Sequence, residues 1–124
     1  MRIVPLGIVV HNNEVLLVHR RFPPIVWGPP GGFTEEDETL GETVIREIYE
    51  ESGIVCEVVD EIYQFEAYNT HVVVFACKYI SGNLRCSYES KDLGWYPLSE
   101  LPEPLSPEKT IFEKALNIVN NNQN

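Results

Sequence analysis

The sequence predicts an α/β fold in which a mixed sheet is covered on both faces by two main helices. Three observations carry this. Apolar, β-branched runs at 2–11, 14–20, 54–67 and 71–80 supply the strands of a sheet. Two segments, one ending near Gly53 and one beginning near Ser106, carry helix signals. The helices are interspersed with the strands, a pattern that covers a sheet from both sides. With 124 residues, 44% of them hydrophobic, there is material for one core. The chain therefore reads as one domain over 1–119, followed by a polar tail, 120–124, expected to be disordered.

The elements follow in order. Runs 2–11 and 14–20 meet at Asn12-Asn13, the signature of a tight hairpin. Residues 22–38 are dense in Pro, Gly and aromatic residues and read as an irregular loop. Thr39-Leu-Gly-Glu42 has the form of a capping box, and Gly53 sits where a left-handed residue stops a helix. After the strands at 54–67 and 71–80, Leu84–Tyr88 and Trp95–Pro97 read as shorter strands. Ser106-Pro107 reads as an N-cap followed by Pro at the first helical position. Ile111, Phe112, Ala115, Leu116 and Val119 then form the apolar stripe of the second helix.

Composition narrows the function. A net charge of −10 without a basic stripe argues against a nucleic-acid polymer as partner. A phosphorylated small molecule remains compatible, because a metal ion inverts the local electrostatics. Cys56, Cys77 and Cys86 are odd in number and contain no CxxC pair, as expected in a reduced compartment, with Cys56 and Cys77 as small buried hydrophobes. His11, His19 and His71 form no i,i+4 pair. No apolar run approaches a membrane span, and the N-terminus reads as a strand rather than a signal peptide. A cytoplasmic enzyme is the expectation.

The first helix ends against the local rules. Glu47, Glu50 and Glu51 lie in its last turns, where the helix dipole disfavours anions, and Glu47 and Glu51 are a like-charge pair at i,i+4. Taking Glu47 as zero at about 100° per residue, Glu51 projects near about 40° and Glu50 near about −60°, while Leu40 and Val44 project near about 20° and about 60°. The inward face is thus apolar at the start of the helix and acidic at its end. Violations concentrated in one turn mark a site. Three carboxylates from one turn suit a hard divalent cation such as Mg²⁺.

These residues also match a family. Gly32, five residues, Glu38, seven residues, then Arg46-Glu47-Ile48-Tyr49-Glu50-Glu51-Ser52-Gly53-Ile54 resembles the Nudix box, GX5EX7REUXEEXGU, with U a bulky aliphatic residue. Every fixed position is met. Asp37 stands where family members often carry Gly, and Thr43 where Ala is common. The resemblance implies an α/β/α sandwich and hydrolysis of a phosphoanhydride bond in a nucleoside diphosphate linked to another group. By position it implies Glu47, Glu50 and Glu51 as ligands of Mg²⁺, for which Mn²⁺ can substitute, with the Gly31 carbonyl as a further ligand. It implies Glu38 as support of the metal shell and Arg46 as the residue orienting the glutamates. Arg46 also stands at i,i+4 from Glu42, a favourable helical pair in its own right.

Two general bases are open, as the family differs on this point: Glu50 in the box, and Glu89 in ESKDLGWYPLSEL, which resembles the stretch before the family's W-x-x-x-x-E-L element. Arg20 and Arg21 end the second strand where many Nudix proteins put a phosphate-binding Arg. Adjacent strand residues point oppositely, so one of them is expected to face the cleft. Phe22, Trp27 and Tyr68 are candidates to stack on a base, with core packing as the competing explanation for each. The short chain resembles the compact, MutT-like nucleoside triphosphate pyrophosphohydrolases. Hydrolases of ADP-ribose, nucleotide sugars and dinucleoside polyphosphates share the box and stay open. So does a non-catalytic Nudix-like nucleotide-binding regulator, although it would have no need of three crowded carboxylates. Family members are monomers or homodimers.

Overall fold

Strict alternation along three adjacent strands sets the layers. In β1 (Arg2–His11), Ile8 and Val10 face one side and Val9 the other. In β2 (Glu14–Arg20), Val15 and Leu17 oppose Leu16. In the strand over Thr70–Ser81, Val72, Val74 and Ala76 oppose Val73, Phe75 and Cys77. Each face needs a cover, and each receives one helix. The helix α1 (Leu40–Ser52) presents Val44 and Ile48 to Val9, Leu16, Val73, Phe75 and Cys77. The second helix, α2 (Lys109–Asn121), presents Ile111, Phe112, Ala115 and Val119 to Ile8, Val10, Val15, Leu17, Val72 and Val74. The result, in a computed structural model that describes residues 1–122, is a mixed α/β fold with a helix on each side of the sheet.

The sheet adds β3 (Trp27–Gly28), β4 (Val55–Ala67), β5 (Thr70–Ser81) and β6 (Ser90–Pro97) in the order β3-β2-β1-β5-β4, with β6 also paired to β2. β1 and β5 run parallel; the other pairs are antiparallel. The β1–β2 ladder holds only Val10↔Val15 and His11↔Glu14, next to the turn. Beyond it the strands part. The segment 27–31 runs into the gap, pairing Gly28 with Val18 of β2 and bridging Gly31 to Leu6 of β1. That parting opens a cleft.

Several sequence expectations are met. The hairpin at Asn12-Asn13 has both residues at positive φ, 52° and 61°, as a type I′ turn requires. The capping box is complete: Thr39 Oγ1 accepts from the Glu42 N–H at 3.1 Å, and Glu42 Oε1 accepts from the Thr39 N–H at 2.8 Å. Gly53 caps the helix at φ 79°. Cys56 and Cys77 are buried and Cys86 is exposed.

Other expectations are corrected. Residues 84–88 form no strand; β6 instead begins at Ser90 and reaches Pro97. Ser106-Pro107 does not start α2, whose N-cap is Glu108. The Ser106 N–H instead donates to the Trp27 carbonyl at 2.9 Å, so this segment serves the sheet edge. The second helix runs through Asn121, two residues into the segment expected to be a tail, while 123–124 lie outside the described residues. No helix among the described residues is long and apolar enough to cross a membrane.

Candidate active site

The buried stripe of α1 comprises Thr43, Val44, Ile48 and Ser52. Measured from Glu47 at about 100° per residue, Thr43, Val44, Ile48 and Ser52 lie at about −40°, about 60°, about 100° and about 140°. The buried arc is therefore centred at about 50°, close to Glu51, with Glu47 nearer its edge and Glu50 outside it. Their exposure follows that angle. Glu51, nearest the inward bearing, is half-buried; the Glu47 side chain is 19% exposed and that of Glu50 55%. One helical turn thus delivers a graded set of carboxylates.

Glu51 and Glu47 face the cleft, a cavity of about 440 Å³. Its acidic end also holds Gly31, Gly32, Arg20 and Glu89, and its walls include Val4, Leu6, Phe33, Phe65, Tyr68 and Val72. Glycine is needed at two places here, at Gly32 for the Glu47 carboxylate and at Gly31 for the close approach to β1. A Cβ on Gly32 would stand 2.6 Å from the Glu47 carboxylate, and one on Gly31 would run into the Pro5 carbonyl oxygen. Gly31 pairs with Leu6 through bonds made by its neighbours, Gly7 N–H to the Pro30 carbonyl and Gly32 N–H to the Pro5 carbonyl. Its own N–H therefore points away from β1 and donates to Glu51 Oε2 at 3.0 Å. The C=O of an extended residue points to the same side as its N–H, which directs the Gly31 carbonyl towards the glutamates.

Arg46 is the organiser of this turn. Its Nε and Nη2 donate to Glu38 Oε2 and Oε1 at 2.6 and 3.0 Å, a two-point fork. Its Nη1 donates to Glu47 at 3.2 Å and to Glu50 at 2.9 Å, and Nη2 also reaches the Phe33 carbonyl at 3.3 Å. The helical partner expected from spacing, Glu42, is engaged in the capping box instead. Glu38 accepts from the Glu35 N–H and the Thr43 hydroxyl as well. Asp37, in the loop where glycine is common, has φ 68°, a left-handed conformation that Asp tolerates. We predict that Arg46→Lys, which cannot reproduce the fork, costs about 1–2 kcal/mol of stability and lowers turnover. Chemical denaturation and steady-state rates check this.

Charge in the turn is unevenly compensated. The hydrogen bonds from Arg46, first, and from the Glu35 N–H hold Glu38 down to about 2. Burial, then the neighbouring Glu47, pushes Glu51 up to about 8, against the opposing Gly31 N–H bond. Burial also raises Glu47, with Glu50 and Glu89 adding to the effect. In the metal-free protein these shifts act in opposite directions on stability. Glu51 binds its proton more tightly folded than unfolded, so its contribution is full below about 4.5 and is lost as pH rises through about 8. Glu38 contributes above about 4.5 and loses that contribution as pH falls towards about 2. Metal-free melting temperature should therefore fall between pH 5 and 8.5, and a pH-scanned melting series measures it.

The donor set fits a hard divalent cation: carboxylate oxygens and a backbone carbonyl, crowded on one cleft wall. Among the described residues no three such side chains are yet focused on a common point. Glu47 and Glu50 are turned to Arg46, and Glu51 to the Gly31 N–H. These bonds use one oxygen of each carboxylate and leave the other.

The remaining candidates divide. Arg20 lines the cleft and donates to the Pro24 carbonyl, whereas Arg21 turns to the loop before β6. Phe22, exposed, lines the acidic end beside Arg20, Glu51 and Glu89. Trp27 is 9% exposed, stacked on His19 at 4.7 Å and edge-on to Tyr96, so its ring belongs to the core. Tyr68 is 79% exposed on the cleft rim at φ 50°, in a second tight turn with Asn69. Spacing missed Phe33, whose ring lies under the Arg2 guanidinium at 3.5 Å and whose side chain faces the cleft. The signal available was its position directly after Gly32.

The acidic wall of this cleft, one helical turn with Gly31 and Gly32 packed against it, is formed by the residues that resemble the Nudix box. The family model for the NUDIX domain matches residues 1–116, and the chain belongs to that family. It is 38% identical over 103 residues to a MutT-like protein of Streptomyces ambofaciens, covering 81% of this chain and 66% of that one. It is 32% identical to an ADP-ribose pyrophosphatase of Methanocaldococcus jannaschii, covering 78% and 62%. The chain thus spans under two thirds of the length of these curated relatives. The crystal structure of a MutT NUDIX hydrolase from Burkholderia pseudomallei superposes with a TM-score of 0.74 at 30% identity, covering 95% of this chain and 97% of that one. An ADP-ribose pyrophosphatase from Streptococcus suis shares the fold, with a TM-score of 0.79 at 20% identity over 94% and 90%.

Proposed function

We propose that this chain is a Mg²⁺-dependent hydrolase of a phosphoanhydride bond in a nucleoside diphosphate linked to a further group, with nucleoside triphosphates as the first substrate class. The observation that carries this reading is one cleft with two ends. Its acidic end combines Glu47, Glu51, the side of Gly31 that bears its carbonyl, and Arg20. Its walls beyond are apolar and aromatic, suited to a nucleoside.

Glu47, Glu50, Glu51 and the Gly31 carbonyl would hold the cation. When bound it would neutralise phosphate oxygens and lower the pKa of a water molecule. Arg20 would bind a phosphate from the opposite side of the cleft. Arg46, anchored on Glu38, would hold Glu47 and Glu50 in orientation while leaving their free oxygens available. Glu89 faces the cleft beside Glu51 and is our choice of general base over Glu50, whose carboxylate is already engaged by Arg46 and would be needed by the cation. It would take the proton of the attacking water as the bridging oxygen leaves.

A second substrate class is favoured by a pyrophosphatase relative: ADP-ribose, named for the protein from M. jannaschii. The test is a panel of nucleoside triphosphates, ADP-ribose, a nucleotide sugar and a dinucleoside polyphosphate, with and without Mg²⁺, products being identified chromatographically. Mg²⁺-dependent release of a nucleoside monophosphate from one class supports the reading. Binding of every compound without turnover supports a regulatory module instead.

A further inference from the structure

Arg21 follows Arg20 at the end of β2 but directs its guanidinium elsewhere. Its Nε donates to the Tyr88 carbonyl at 2.6 Å and its Nη2 to the Ser90 carbonyl at 3.4 Å. Its backbone N–H donates to the Glu89 carbonyl at 3.2 Å. One residue therefore takes three consecutive carbonyls, and the middle one belongs to Glu89.

The arrangement originates in the β2–β6 ladder. Pairing passes from His19↔Asp92 to Arg20↔Ser90, which leaves Lys91 as a bulge where β6 begins. Bulges of this kind re-aim side chains next to sites. Here Arg20 lines the cleft and Arg21 lies across the incoming loop. Upstream, that loop is tied to the end of α1 by Arg85, whose N–H donates to the Ser52 carbonyl at 2.8 Å and whose Nη2 donates to the Tyr49 carbonyl at 3.1 Å. From Cys86 to Ser90 its own bonds are local, Cys86 Sγ to the Ser90 carbonyl at 3.6 Å and the Ser90 N–H to the Ser87 carbonyl at 3.3 Å. Leu84, Cys86 and Tyr88 are exposed, and the buried Ser87 hydroxyl makes no hydrogen bond among the described residues. Ser90, by contrast, is buried and receives the second donor of the fork.

We propose that Arg21 is a positioning residue, which fixes the backbone of 88–90 so that the Glu89 carboxylate is presented to the cleft beside Glu51 and Arg20. This rests on the reading of Glu89 as the general base. A base must lie within hydrogen-bond reach of the proton it removes, and a displacement of about 1 Å can cost up to about 10²-fold. Arginine suits the task because its planar fork spans two carbonyls; lysine is a single point donor.

The test compares wild type, Arg21→Ala, Arg21→Lys, Glu89→Gln and the Arg21→Ala/Glu89→Gln double variant. Each is assayed on dGTP and on ADP-ribose at saturating Mg²⁺, with kcat, KM and pH–rate profiles. Arg21→Ala should lower kcat about tenfold or more, with KM within about twofold, and should alter the acidic limb. Arg21→Lys should recover part of the loss. The double variant should be no slower than Glu89→Gln, because no base is left to position. If Arg21→Ala does not fold, Arg21→Lys carries the same comparison in both backgrounds. A raised KM at unchanged kcat would make Arg21 a substrate ligand and overturn the proposal. So would losses that multiply in the double variant. A silent Glu89→Gln removes the base reading itself; a slow Glu89→Gln with a silent Arg21→Ala removes only the positioning role.

Discussion

Glu51→Gln should lower kcat by at least about 10²-fold, the scale of a lost metal or acid–base function, while the metal-free protein becomes more stable at pH 8.5. Both effects come from one geometry. Glu51 is the glutamate nearest the inward bearing of α1, held by the Gly31 N–H and pushed up to about 8 by burial and by Glu47. A glutamine oxygen still accepts from Gly31, so the loop keeps its anchor. It adds no charge to the crowded turn, which removes the repulsion that an ionised Glu51 feels. Activity lost together with stability gained is the signature of a residue placed for function. Steady-state assays and melting curves at pH 6 and 8.5 read both. A variant that loses activity only because it unfolds would contradict the assignment.

Glu89→Gln should lower kcat by about 10²-fold or more and leave the Mg²⁺ concentration needed for half-maximal rate nearly unchanged. Glu89 lines the acidic end of the cleft, and its charge contributes to raising Glu47 and Glu51. The helix glutamates stay in place when it is replaced. The acidic limb of the pH–rate profile should change with it, since that limb reports ionisation of the base. Glu50 lies about 100° round the helix from Glu51, 55% exposed and bonded to Arg46. If Glu89→Gln is silent and Glu50→Gln carries the change in profile, the base lies on α1.

The parts of the fold legible in the sequence were those set by local chemistry. Asn12-Asn13, the Thr39–Glu42 capping box and Gly53 each bond or bend within a few residues, and each behaves as its chemistry demands. The alternating strands were legible for the same reason. What was hidden depended on partners distant in sequence. Trp27 and Gly28 form a strand only because β1 and β2 part and leave Val18 and His19 to pair with them. The Ser106 N–H serves Trp27, so a sequence with good helix-start chemistry is used elsewhere and α2 starts at Lys109. The turn at Tyr68 was invisible because a bulky aromatic residue rarely adopts positive φ. Within the site, the box identified the acidic turn. Spacing alone could not reveal that Arg46 would choose Glu38 over Glu42, since their meeting depends on how the loop 32–38 folds back over the helix.

The most direct measurement is the melting temperature of wild type and Glu51→Gln as Mg²⁺ is raised into the millimolar range at pH 7.5. A cation that binds the folded site alone stabilises it by linkage, by about 1.4 kcal/mol at ten times its dissociation constant, or several degrees for a domain of this size. Wild type should show that rise with the same half-saturation as the hydrolysis rate, and Glu51→Gln should show little of it. Equal shifts in the two proteins, or none in wild type while hydrolysis proceeds, would mean that the glutamate turn is not the metal site.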